Sequence, residues 1–144
     1  MALVDFDVSV VHSFGLEIDG VVITGITEVS GLALGQDVVE LKQNTSDGKY
    51  VVESLPGRPK AGEVTVIREV TGEDSFEKWV RDSRIGDSRK NGAILVYGVE
   101  GQVVRRYALT NIWPKSLETG ALTAGDTGVL TEKLVVAYES LEVE

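Results

Sequence analysis

The 144-residue sequence contains no cysteine and only one histidine. A disulfide framework, a thiolate metal site and a cysteine nucleophile are therefore excluded, and one chain cannot build a two-histidine metal site. A serine–histidine triad would need the one histidine, whose place on the first predicted strand argues against that role. The single histidine, His12, falls on the apolar side of the first predicted strand and is interpreted as a structural residue near a strand end. We expect no catalytic residues, no cofactor and no bound metal.

Positive charge and long apolar runs are also scarce. Lysine and arginine number 14 against 23 aspartates and glutamates, a formal net charge of −9, which argues against a protein that coats nucleic acid. No apolar run reaches transmembrane length, and the opening MALVDFDVSV lacks the basic and apolar regions of a signal peptide. We therefore expect a protein made in the cytoplasm that does not itself insert into a membrane.

Glycine is frequent and proline rare, 16 residues against 3, which is typical of a globular chain with many turns. We predict a single domain over residues 1–144. Apolar residues occupy the even positions from Val4 to Ile18, which predicts a long strand with one buried face. Asp19-Gly20 predicts a tight hairpin turn into a second strand, Val21 to Val29, which is apolar on both faces.

Residues 42–60 are predicted to form a long loop that leaves the body of the domain and has a hairpin-like tip. The polar stretch KQNTSDGKY favours turns, and YVVESL looks extended. Pro56-Gly57-Arg58-Pro59 is expected to block regular ladder pairing, because proline lacks an amide donor. Two interpretations are open: the loop covers the core of its own chain, or it contacts a second copy.

One helix is predicted, at about residues 73–85. Thr71 begins a capping-box pattern in which its hydroxyl accepts a hydrogen bond from the Asp74 amide. Phe76, Trp79 and Val80 follow at helical spacing, so this face of the helix is expected to pack on the core.

The rest of the chain predicts strands. Residues 63–70 alternate, with Val64, Val66 and Val70 on one face, and further strands are expected at 93–99, 103–112 and 129–143. The predicted fold class is mostly β: an antiparallel β-sandwich or barrel with one packed α-helix.

Four carboxylates, Asp5, Asp7, Glu17 and Asp19, share one face of the first predicted strand. They could hold a divalent cation or act as an acid–base pair, although a solvated acidic face is the simpler interpretation. Three function classes remain open: a self-assembling structural subunit, a monomeric β-barrel that binds a small ligand, and, with little support, an acid–base hydrolase.

Four features in order along the chain carry a family resemblance: ITEVSGL at 26–32, ESLPGRPKAGEVTVIRE at 53–69, the helical Trp79, and TNIWPKSLETGALTAGDTGVLTEKLVVAYESLEV at 110–143. With them the chain resembles the phage tail tube protein family, and more narrowly the inner tube subunits of contractile phage-tail-like injection systems. One departure is Glu69-Val70, where the family often has glycine after the preceding arginine.

The resemblance implies an Hcp-like fold that assembles into homohexameric rings, which stack into a tube for cargo delivery. A sheet continued from subunit to subunit would line the lumen, and we expect part of the acidic excess on that wall. The implied partners are further copies of the chain, a sheath protein, and baseplate and tube-terminating proteins. Protein cargo or DNA would pass without specific binding, and a phage tail tube that conducts DNA is the alternative within the family.

Under the same resemblance, the loop at 42–60 reaches an adjacent subunit. Its apolar anchors would be Val51, Val52, Leu55 and Pro56. Arg58 or Lys60 would meet carboxylates of the neighbouring copy.

Overall fold

The computed structural model describes residues 11–86, 89–121, 124–125 and 128–144. The predicted strand residues before Val11, with Asp5 and Asp7, lie outside these ranges. The described elements are, in order, β1 Ser13–Ile18, β2 Val21–Ser30, β3 Gln36–Asn44, β4 Tyr50–Pro59, β5 Gly62–Glu69, α1 Ser75–Ile85, β6 Lys90–Tyr97, β7 Val103–Thr119, β8 Thr131–Tyr138 and β9 Ser140–Val143.

Seven strands form one antiparallel sheet in the order β6-β1-β2-β5-β8-β7-β9, and an additional pairing of β6 with β7 closes it into a barrel. Strands β3 and β4 form a separate two-stranded sheet. The predicted fold class, mostly antiparallel β with one helix, is therefore confirmed. In the predicted turn between β1 and β2, Asp19 and Gly20 both have positive φ, 48° and 84°, as a type I′ turn requires.

Strand β7 changes its pairing partner halfway along its length. Its first half pairs with β6 as far as Ile112, and its second half pairs with β8 from Trp113 onward. Asn111, with φ of 50°, stands at the change of direction. The second half of β7, with β8, β5 and residues 26–30 of β2, makes what we call the four-stranded sheet.

The barrel interior is filled by side chains. Leu16, Val64, Val66, Ile94 and Ile112 have no exposed surface, a packing typical of a small barrel. From α1, Phe76 and Trp79 are buried in the same cluster, and Val80 packs against it while partly exposed. The prediction for Val70 is wrong: β5 ends at Glu69, and the Val70 side chain is exposed.

The predicted capping box is also wrong. The Thr71 hydroxyl accepts a hydrogen bond from the Glu73 amide at 3.3 Å rather than from Asp74, and the Glu73 carboxylate accepts one from the Ser75 amide at 2.6 Å. Glu73 therefore supplies the carboxylate at the helix N-terminus, where negative charge is favoured. No helix in the described part of the chain is long and apolar enough to cross a membrane.

Candidate assembly interface

Strands β3 and β4 form a long hairpin that includes the predicted loop and is longer than it. The ladder continues through the prolines, since Val38 lies opposite Pro56 and Gln36 opposite Pro59, with one irregularity between the two pairs. Regular pairing is therefore interrupted at Gly57-Arg58, as predicted, but the ladder resumes at Pro59 and is not ended by the prolines. A hairpin has two outer edges without partners, and a proline on such an edge removes no ladder hydrogen bond.

Most of the hairpin is exposed to solvent, and neither strand contributes to the barrel core. The hairpin thus does not cover the core of its own chain, which was one of the two interpretations. The candidate interface residues lie on β4 or directly after it, and all are exposed: Val51, Val52, Leu55, Pro56, Arg58 and Lys60.

Both faces of the hairpin carry apolar side chains. Cross-strand partners share a face, so Val39 and Leu55 lie on one side, and Val38 lies with Pro56 on the other. Val38 is 69% exposed. Exposed apolar surface on two faces of one hairpin is typical of a segment that is covered by other molecules.

The base of the hairpin is tied to the barrel. The Lys60 amide donates to the Gly35 carbonyl at 2.8 Å, which joins the two strands where they leave the body. The Tyr138 hydroxyl, from the buried face of β8, donates to the Ala33 carbonyl at 3.2 Å. The hairpin therefore projects from a fixed base.

The four-stranded sheet has two open edges. Beyond Ile26, no described residue pairs with β2 on its β1 side, and beyond Ile112 no described residue pairs with β7 on its β6 side. We call 27–30 the β2 edge and 113–119 the β7 edge. Since each neighbouring pair of strands in this sheet is antiparallel, the β2 and β7 edges also run in opposite directions.

A buried arginine, which the sequence patterns did not single out, links the helix to the sheet. Arg68 is only 3% exposed; its Nε lies 2.6 Å from Glu132 Oε1, and its Nη1 lies 2.5 Å from Glu73 Oε2. The guanidinium also stacks 3.8 Å from the centre of the Phe76 ring. The alternation of β5 contained the signal, because Arg68 continues the inward series of Val64 and Val66.

The pKa of Glu73 is lowered from its ordinary value of 4.5, first by hydrogen bonding to Ser75 and then by Arg68, while burial opposes the shift. A carboxylate whose pKa is lower in the folded chain adds stability above its unfolded pKa, and this stability is lost as the pH falls through the folded pKa. Ionised Glu73 therefore favours the folded state at neutral pH, and this contribution is lost in acid.

Of the four acidic residues singled out in the first predicted strand, the two that the structure describes each face a basic side chain. Glu17 lies 3.5 Å from Arg106, and Asp19 lies 4.0 Å from the Lys90 ammonium. His12 is exposed just before β1. The described clefts lie on the outside of the barrel, whose interior is occupied by side chains, so the enclosed apolar pocket expected of a monomeric ligand-binding module is not seen among the described residues.

Comparison with known proteins extends these observations. The sequence profile of the T4-like virus tail tube protein gp19 family matches residues 10–142. No curated protein sequence matches the chain.

Solved structures show a similar fold. One chain of an extracellular contractile injection system, in a PVC sheath–tube complex in the extended state, has a TM-score of 0.78 at 17% identity, covering 96% of this chain and 93% of that one. A chain of the PVC sheath/tube terminator in the extended state scores 0.77 at 17% identity, with 99% of each chain covered. A chain of the six-fold symmetrised baseplate of the anti-feeding prophage scores 0.64 at 17% identity, covering 100% and 97%.

Proposed function

The chain belongs to the T4-like virus tail tube protein gp19 family, which confirms the resemblance found in its sequence, and we propose that it is a structural subunit of the inner tube of a contractile injection system. Six copies form a ring, and rings stack into a tube. The observation that carries the proposal is the four-stranded sheet with one open edge at each side.

The two open edges fit each other. An open strand edge exposes unpaired amide and carbonyl groups and invites pairing with another chain. The β2 edge and the β7 edge run in opposite directions, so the β2 edge of one copy can extend the sheet of the next copy in the antiparallel sense. Every contact then joins two different surfaces, the β2 edge of one copy and the β7 edge of another. A series of such contacts closes into a ring when the rotations from copy to copy add up to a full turn.

The hairpin supplies a second contact. We propose that it lies against neighbouring copies, with Val51, Val52, Leu55 and Pro56 buried there. Apolar side chains on both of its faces support burial on both sides. Arg58 and Lys60 add positive charge at its base, and each copy of the chain carries a net charge of −9, so a neighbouring surface rich in carboxylates complements them.

The outer face of the four-stranded sheet becomes the lumen wall in this arrangement. Strand alternation places exposed acidic and basic side chains there: Glu28, Glu63, Glu69 and Glu118, with Lys115 and Lys133. The Lys115 ammonium lies 2.5 Å from Glu63, which leaves carboxylates in excess. We propose that this wall repels acidic cargo and nucleic acid and so lets them slide.

The partners follow from the same proposal. Similar chains occur in a sheath–tube complex, a tube terminator and a baseplate, which supports a sheath protein around this tube, a baseplate at one end and a terminating protein at the other. Six-fold symmetry in the baseplate structure supports the ring of six. The subunit conducts protein cargo or DNA and carries out no bond chemistry of its own.

Assembly can be measured directly on the purified chain. At high protein concentration we expect rings or stacked tubes with six-fold symmetry in negative-stain electron microscopy, and a mass of six chains or a multiple of six by light scattering. Addition of the purified baseplate supplies a nucleus if free subunits assemble slowly. A chain that stays monomeric with and without the baseplate contradicts the proposal.

A further inference from the structure

Trp113 is exposed at an unusual place in the fold. Its side chain is 42% exposed, it begins the β7 edge, and it lies opposite Ala137 on the outer face of the four-stranded sheet. A scattered exposed apolar residue needs no explanation. An exposed tryptophan on an unpaired strand edge is different, since tryptophan is enriched among the residues that dominate protein interfaces.

A surface cleft of about 460 Å³ lies beside this tryptophan. Ala61, Gly62 and Tyr138 line it together with the indole. At its rim, the Asn111 side-chain amide donates to Glu139 at 2.6 Å. Glu63 and Arg89 also line the cleft, so it combines apolar and aromatic surface with polar and charged groups, as protein interfaces do.

The register of the sheet identifies the segment of a second copy that reaches the cleft. Within one chain, Ser30 of β2 lies in the same row as Thr65, Val135 and Ser116. The next rows along the sheet contain Trp113 at one side and the residues that follow Ser30 at the other. When the β2 edge of a second copy pairs antiparallel with the β7 edge and continues these rows without a stagger, residues 31–34 of that copy lie beside Trp113.

Residues 31–34 follow the β2 edge, and the apolar residues Ala33 and Leu34 are exposed there. Gly31 has φ of 88°, and a Cβ there would lie 2.5 Å from the Glu63 carbonyl oxygen, so the segment leaves the sheet at a position that only glycine fits. The hydrogen bond from Tyr138 to Ala33 holds it against the barrel. Leu34, at its end, is 65% exposed.

We propose that Trp113 is the anchor residue of the contact between neighbouring subunits, and that its indole packs on residues 31–34 of a second copy, with Leu34 as the apolar counterpart. This contact rests on the proposed ring. It specifies which residues of the β2 edge of one copy lie opposite which residues of the β7 edge of the next. It also explains why a tryptophan starts the β7 edge while the described residues of the same chain leave its ring partly in solvent.

Tryptophan fluorescence tests the contact, because the chain has only two tryptophans and Trp79 is buried. In a Trp79→Phe chain, emission comes from Trp113 alone. We expect its maximum to move to shorter wavelength, and its quenching by acrylamide to fall several-fold, when rings form. If electron microscopy shows rings and acrylamide still quenches Trp113 as strongly as in the free subunit, the proposed contact is overturned. The ring proposal then still stands.

Two surface variants test the same contact without altering the core. Trp113→Ala and Leu34→Ala are each expected to raise the concentration at half-assembly by about tenfold or more, the effect of removing an interface hot spot. Ile85→Ala, which shortens an apolar side chain that is 88% exposed on α1, is the matched control and is expected to assemble normally. Unchanged assembly of both variants overturns the proposal. Absence of rings from the unaltered chain overturns the ring and this contact together.

Discussion

Replacing Arg68 by leucine is expected to lower the free energy of unfolding by about 3–5 kcal/mol, the usual cost of removing one partner from a buried ion pair. The arginine is almost fully buried and contacts two carboxylates and one aromatic ring. Without it, the Glu132 carboxylate remains buried and loses the hydrogen bond at 2.6 Å from the guanidinium. Chemical denaturation at pH 7, followed by circular dichroism, measures the change.

A double variant separates the charge from the packing. Arg68→Leu with Glu132→Leu removes both buried charges, and we expect it to recover most of the stability that the single variant loses, because a buried ion pair and an apolar pair of similar size often differ little. If the single and double variants are equally unstable, the loss comes from packing of the arginine on Phe76 rather than from the unpaired carboxylate.

Placing aspartate at both Val51 and Leu55 is expected to abolish assembly while leaving the monomer folded. The two side chains lie on one face of the hairpin and outside the barrel core, so their replacement does not disturb the core. Disrupting one hot-spot residue at an interface costs about 2 kcal/mol or more, so disrupting two raises the concentration required for assembly about a thousandfold. Sedimentation of tubes, followed by gel analysis of the pellet, measures the effect.

The control for this experiment is Ile85→Asp, which introduces a negative charge at an exposed apolar side chain on α1 rather than on the hairpin. It is expected to sediment as tubes like the unaltered chain. Normal tubes from the hairpin variant, with its thermal unfolding unchanged, would show that the exposed apolar faces of the hairpin are not buried by assembly.

Much of the fold could be predicted because local patterns and tertiary packing agree. Alternation in β1 and β5 reports one buried face, and the Asp19-Gly20 turn follows from the positive φ that glycine and aspartate tolerate. Arg68 is hard to identify although the alternation points to it, because a charged residue on an inward face is unusual until its partners are known. Those partners, Glu73 and Glu132, lie 5 and 64 positions away, and sequence periodicity does not report such contacts.

The interface was harder to predict than the fold. The sequence shows that the hairpin carries apolar residues, but the extent of pairing through Pro56 and Pro59 depends on both outer edges of the hairpin being free, which is a property of the folded chain. The open edges of β2 and β7 arise because each strand pairs with different partners along its two halves. Trp113 becomes an interface candidate only because this change of pairing partners leaves it on an open strand edge of the folded chain.

Covalent capture of the two edges tests the central claim, which is that the β2 edge of one copy joins the β7 edge of the next to close a ring. The chain has no cysteine, so Ser30→Cys with Ser116→Cys places one thiol on each edge, and no other thiol in the chain can react with the cross-linker. After assembly and treatment with a short bismaleimide, we predict a denaturing gel with a ladder from one to six chains that stops at six, and almost no cross-linking in either single-cysteine chain. Tubes that form without this ladder, or a ladder that continues beyond six chains, would contradict the account.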